Sequence, residues 1–331
     1  MHYCMGLAKN GAVNPQLQDV EENMQRLTNA FITYDHVLLS EENLSVAPFW
    51  TSKQQVDNPA KRYWGTIAKT ARRFSVTNTK IVLYIRQQDE WASSHWKRSV
   101  KIGRERRAFV EYAFNNLYDS LLHYYEFVNT VEQAFCGSCE VIVRLYDRSQ
   151  FEGGDIFHDF CHAAGIPWDF EFYVSQKERN PSLSFDVAEA LRSFHDVAPA
   201  KSPLRKERLI PLALSLSQTH PDPPRMTPFS KDANRLLLKT HEEGNKKLAK
   251  QFFGREELFP AVDEEHIVWE PNQERIAEYR ELFWKECEKD IRHPKLNSIM
   301  LYGTRCKNKV MRTMYTIKDK LDTHQPKPRQ D

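Results

Sequence analysis

An α/β fold, with a central parallel sheet flanked by helices, is what this sequence predicts, and three observations predict it. Lys80-Ile-Val-Leu-Tyr-Ile-Arg86 carries five consecutive apolar residues, the pattern of a strand buried on both faces. Glu140-Val-Ile-Val-Arg-Leu-Tyr146 reads as another strand further along the chain. Segments with helical spacing precede, separate and follow these runs, so strands alternate with connections long enough to cross over.

Taken in order, the chain opens on Gly6-Leu-Ala-Lys9-Asn-Gly11, a G-x-x-K-x-G shape that phosphate loops take. No run long enough for a feeding strand precedes it, and Ala12 and Val13 stand where hydroxyl residues are usual, so the pattern alone reads as a surface loop. Leu17, Val20, Met24, Leu27 and Phe31 then recur at helical intervals. Val37-Leu-Leu39 is a short strand ending in Ser40-Glu41-Glu42-Asn43. An acid at that edge can serve as a general base. It can equally favour the positive end of a helical turn capped by Ser40 or Asn43.

A basic helical pattern over residues 53–75 leads into the strand at Ile81–Ile85. Arg86 sits at the carboxyl end of that strand, and the next segment places Trp91, Ser94 and Val100 on one helical face. Ligands bind at this edge in open α/β sheets. The planar fork of a guanidinium suits a phosphate, and a nearby hydroxyl adds a further bond. The competing reading is that Arg86 simply pairs with Asp89 or Glu90. Residues 108–135 read as a long helical region whose Tyr and Phe stripe is core packing.

After the second strand, Gly153-Gly154 makes a turn, and Asp155 to Ala164 is a helix ending at Gly165. A helix follows Ser184 and runs to about His195. The stretch 197–230, with Pro221, Pro223 and Pro224, predicts a long surface loop or lid. Asn234 to Phe253 and Ile276 to Ile291 are helical again. Residues 1–295 form one predicted domain, and 296–331 form a basic tail with eight Lys+Arg against three acids.

Composition bounds the function. Lys and Arg total 47 against 45 Asp and Glu, so there is no global basic field of the kind nucleic-acid binders carry. The six cysteines are too scattered for a disulfide framework, and Cys136-Gly-Ser-Cys139 lacks the second pair of a zinc site. It precedes a strand rather than opening a helix, which makes it a turn. No run approaches the length of a membrane span and no signal-peptide pattern opens the chain, so a cytoplasmic protein is expected.

Together these pieces resemble bacterial proteins of the sulfotransferase superfamily. The residues that carry the resemblance are Ser40-Glu-Glu-Asn43 after a strand, Ile81-Val-Leu-Tyr-Ile-Arg86 with Ser94 eight residues on, Tyr124-Tyr125, and the strand leading to Asp147. Asn180-Pro-Ser-Leu-Ser184 and Asn245 with Phe252-Phe253-Gly254 complete the set. The resemblance covers about residues 20–260 and implies a three-layer, P-loop-type α/β fold that uses the sulfate donor PAPS and releases PAP, with no metal. It implies that Arg86 and Ser94 bind the donor's 3′-phosphate, that Glu42 is a tentative catalytic base, and that the acceptor is a hydroxyl, for instance on carbohydrate.

The chain departs from the family at its opening. The family has a strand and a Gly-x-x-Lys-Thr-Gly-Thr-Thr loop for the 5′-phosphosulfate, whose Lys neutralises charge that develops during transfer. Here the loop is absent or reduced to Gly6–Gly11 with Lys9. Two readings follow from this: a sulfotransferase-like enzyme, and a non-catalytic remnant that still binds a nucleotide or a partner. A glycosyltransferase would want an Asp-x-Asp after a strand, and the sequence has none.

Overall fold

The computed structural model describes residues 59–74, 76, 78–114, 122–168, 181–197, 205–259 and 267–292. In chain order the elements are α1 (Pro59–Arg73), β1 (Thr79–Ile85), α2 (Gln88–Lys101), α3 (Phe109–Ala113), α4 (Tyr124–Phe135), β2 (Cys139–Leu145), α5 (Ile156–Ala164), α6 (Phe185–Val197), α7 (Arg205–Thr219), β3 (Met226–Thr227), α8 (Lys231–Leu248), β4 (Ile267–Val268) and α9 (Gln273–Arg292). The fold is α/β and mostly helical. Its described strands form two parallel pairs, β1 with β2 and β3 with β4. The chain divides into two compact units. One draws on residues up to Ser93, on Val110–Glu178 and on Phe229–His266; the other takes Ser94–Phe109, Arg179–Pro228 and the residues from Ile267 onward.

The first unit is built on β1 and β2, paired in register from Thr79↔Cys139 to Ile85↔Leu145. The two apolar runs are therefore direct parallel neighbours, as their composition predicts. Alternation along the strands sends Ile85, Val143 and Leu145 into a cluster with Tyr124 and Val128 of α4 and Leu248 of α8. Val131 and Phe135, one and two turns further along α4, bury Tyr63, Trp64 and Ala68 of α1. The opposite face of the pair carries Tyr84 and Arg144, which are register partners, and α5 covers it. Asp155 caps α5 by accepting from the backbone N–H groups of Phe157 and His158, and Gly165 ends it at φ 72°, a left-handed position that glycine takes without a Cβ penalty.

In the second unit α6 packs against α7 and α9, with Phe194 fully buried against Phe283 and Trp284. The residues predicted to form a long loop here contain α7. Leu209, Ala213 and Ser217 recur every fourth residue on its buried face. Pro211 lies inside this helix on its exposed side, so its ring displaces no core packing, and it removes one backbone donor. The prolines that marked a loop lie just past its end.

Burial makes His95 a pH-sensitive part of this unit. Loss of hydration, reinforced by Arg98 and opposed by Glu105, pulls its pKa from 6.5 down to about 4. The unfolded chain therefore takes up this proton at a higher pH than the folded one. Stability should fall as pH drops from about 6.5 to about 4, by about 3 kcal/mol from this group, and the loss should level off below that window. Urea unfolding at several pH values in that interval tests this: His95→Gln should flatten the slope, and an unchanged slope would remove His95 as its cause.

Among the described residues no helix is long and apolar enough to cross a membrane.

Candidate functional site

The carboxyl ends of β1 and β2 lie side by side, joined past the last strand pair by the Tyr146 N–H donating to the Ile85 carbonyl at 2.7 Å. Arg86 leaves this edge and the chain enters α2 two residues later. The Arg86 guanidinium lies over the Tyr146 ring, 4.3 Å from its centroid, with the side chain 29% exposed. Stacking of this kind fixes the plane of the fork while leaving its N–H groups at the surface. Glu90, one turn into α2, approaches Arg86 Nε at 3.9 Å. This is the pairing the sequence offered as the simpler role for Arg86. At that distance, with Glu90 61% exposed, it is a loose surface pair worth under about 1 kcal/mol.

The backbone beneath the arginine is held more firmly than the side chain. Tyr124 donates its hydroxyl to the Arg86 carbonyl at 2.7 Å. Burial pushes that phenol far above its ordinary range, so it stays a donor at any working pH. The Gln88 side chain is fully buried and forms a reciprocal amide pair with Asn245 of α8, at 2.8 and 3.1 Å, and it also donates to the Leu122 carbonyl at 3.4 Å. Asn234, three turns earlier on α8, donates to Asp89 Oδ2 at 3.2 Å.

Ser94 belongs to α2, is exposed, and falls on the second unit's side of the division, which comes after Ser93. Glu42, the Gly6–Gly11 loop with Lys9, the strand at 37–39, Asn180 and the basic tail lie outside the described residues. Cys136, just past α4, and Cys139, the first residue of β2, are free thiols, and burial followed by the Glu132 charge raises the Cys139 pKa.

A second polar constellation was not singled out in the sequence. On the α5 face of the strand pair, Asp159 is fully buried. It accepts from Tyr84 Oη at 2.6 Å, from Arg144 Nε at 3.1 Å and from the Glu152 backbone N–H at 2.9 Å, and it makes a further bond with the Arg144 Nη2 group. Burial by itself would raise the Asp159 carboxyl; the Arg144 bonds, then the Glu152 N–H and Tyr84, bring it below its ordinary value. The signal in the sequence is Arg144 itself, a charge that interrupts the apolar run of β2.

These features define an α/β chain with an arginine presented at the carboxyl edge of a parallel strand pair. Comparison with known proteins adds one relative. The chain is similar to an uncharacterized protein of Archaeoglobus fulgidus, 30% identical over 214 residues that make up 63% of this chain and 55% of the relative. The chain thus spans about half the length of the curated relative it matches. No family model and no solved structure matches it.

Proposed function

We propose that this chain is a sulfotransferase-like protein, in which β1 and β2 belong to a central parallel sheet of the P-loop type and the carboxyl edge binds PAPS. Arg86 and Ser94 hold the donor's 3′-phosphate. Transfer breaks the bond between sulfur and the bridging 5′-phosphate oxygen as an acceptor hydroxyl oxygen bonds to sulfur. The hydroxyl proton passes to a base, a role assigned to Glu42, and PAP leaves. Carbohydrate hydroxyls are the acceptor class to try first.

One observation carries the reading. A guanidinium, stacked on Tyr146 and partly open to solvent, stands where a parallel strand hands over to a helix. Support also comes from the weakness of the ion pair that Arg86 makes with Glu90 among the described residues, which an incoming dianion would outcompete.

The test is binding, which does not depend on turnover. A ligand specific for the folded state stabilises it by about 2.7 kcal/mol at a hundredfold excess over its dissociation constant. Adenosine 3′,5′-bisphosphate should therefore raise Tm by a few degrees in this chain, and adenosine 5′-monophosphate by much less. Arg86→Lys keeps the charge without the fork and should weaken the response, and Arg86→Ala should nearly remove it. Equal shifts from the two nucleotides, or a full response in Arg86→Ala, would refute the site.

A further inference from the structure

Three of the four residues that follow β1 are gripped from elsewhere in the first unit. The Arg86 carbonyl is held by Tyr124, the Gln88 amide by Asn245 and the Leu122 carbonyl, and the Asp89 carboxylate by Asn234. The grip comes from two sources. Leu122 and Tyr124 flank the start of α4, and Asn234 and Asn245 lie on the inner face of α8. Between those two, His241 is buried on the same helix stripe and packs its ring 4.6 Å from that of His123, the residue between Leu122 and Tyr124.

Polar residues on a buried helix face are the informative exception in a core. A fold that needed only stability would fill this stripe with leucine, as α8 does at Leu237 and Leu248. Burying Gln88 completely removes two donors and an acceptor from water, and the loss is recovered only because Asn245 and Leu122 match them. The Gln88 amide so matched is held in one conformation. It fixes the φ and ψ angles of the segment from Arg86 to Asp89, and through them the direction in which the Arg86 side chain leaves the strand.

We infer that Tyr124 and Asn245 are positioning residues for Arg86, setting its guanidinium for a phosphate on the ribose 3′ position; this inference rests on the bisphosphate reading above. Neither residue touches the ligand. Tyr124 fixes the arginine's own peptide group, and Asn245 fixes the turn that follows it. Sites of this kind depend on a supporting shell that locks the residue making the contact.

Isothermal titration of the full-length protein, well below its Tm, with adenosine 3′,5′-bisphosphate and with adenosine 5′-monophosphate separates positioning from plain stability. Tyr124→Phe removes one hydroxyl and keeps the ring. Asn245→Leu removes the amide pair. Each should weaken the bisphosphate by about tenfold and the monophosphate by less than about twofold, because only the 3′-phosphate depends on Arg86. Val128→Ala, in the same core cluster but away from residues 86–89, should lower Tm and leave the ratio of the two affinities unchanged. Exchanging the amide pair, Gln88→Asn together with Asn245→Gln, should restore the ratio to near wild type. An unchanged ratio in Tyr124→Phe and Asn245→Leu, or an equal loss in Val128→Ala, overturns the positioning role while leaving the bisphosphate site standing. A wild-type protein that does not distinguish the two nucleotides overturns both.

Discussion

Asp159→Ala is expected to be among the most damaging single substitutions in the described residues, lowering unfolding free energy by about 3–5 kcal/mol. The loss of a carboxylate is the smaller part of this. Its removal strands the Arg144 guanidinium, the Tyr84 hydroxyl and the Glu152 N–H on a face that α5 covers. Asp159→Asn retains an acceptor but not the charge, so it should fall between the variant and wild type. Removing both ionic partners with Arg144→Leu and Asp159→Leu should cost less than the alanine variant, because no uncompensated charge is left. Urea unfolding measures all three; a double variant as unstable as Asp159→Ala would contradict the argument. The pH dependence has a definite sign. The folded carboxyl lies below its ordinary value of 3.8, so the stabilisation is complete at higher pH and is lost as pH falls below that value through the folded pKa. That window lies below the one assigned to His95, and the two groups can be read separately.

Asp222→Ala should produce the second large effect, of the same order, about 3–5 kcal/mol, in the second unit. Lys97 Nζ lies 2.7 Å from Asp222 Oδ2, with its side chain only 11% exposed, and sits 3.5 Å over the Phe185 ring. Asp222 also accepts from the Phe185 N–H at 2.9 Å, at the first residue of α6. Alanine at position 222 thus leaves an ammonium without its anion and a helix start without its acceptor. Burial already lowers the Lys97 pKa, and Asp222 is what opposes that shift. Without Asp222 the amine should lose its proton more readily in the folded state than in the unfolded chain. The deficit of Asp222→Ala relative to wild type should therefore shrink as pH rises from about 7 toward about 10. Denaturant melts at those pH values decide it, since a deficit independent of pH would mean that Lys97 is not the group left stranded. Lys97→Met combined with Asp222→Leu should recover part of the loss.

What could be read in the sequence follows the range of the interactions. The apolar runs of β1 and β2 give their own identity, and the long connection between them implies the parallel pairing. Asp155 and Gly165 mark the ends of α5 because capping is local chemistry. Arg86 stands out for the same reason, as a charge closing an apolar strand. The contacts that hold it do not. Gln88 and Asn245 are separated by 157 positions, and an amide in a polar run carries no mark of its distant partner. The partners of Asp159, namely Arg144, the Tyr84 hydroxyl and the Glu152 N–H, are likewise visible only once α5 lies on the strands. In α7 another kind of signal misleads. A proline within the helix and a cluster just after it outweighed a clear four-residue period, although a single exposed Pro211 costs the helix only a donor. The aromatic stretch 108–135 is helical in α3 and α4, as its spacing predicts, and the break before α4, with His123 at φ −80° and ψ 72°, carries no mark of its own in the sequence.

The facing of Tyr84 and Arg144 across the strand pair also bears on how the chain avoids misassembly. Two apolar strands that lie far apart in sequence carry little in their side chains to choose one alignment over the next, since valine and isoleucine pack almost equally well when shifted. A slip of one residue turns every side chain of β2 to the other face. Arg144 would then point into the cluster around Val128 and Leu248, whose described members are apolar, and Asp159 would be left with Tyr84 and the Glu152 N–H in place of its cation. Arg144, the charge in the interior of the strand, thus acts as a key that fits a single alignment. It makes the wrong pairing costly as well as the right one favourable, and the carboxyl edge that carries Arg86 and Tyr146 is set in place by a carboxylate on the far side of the sheet.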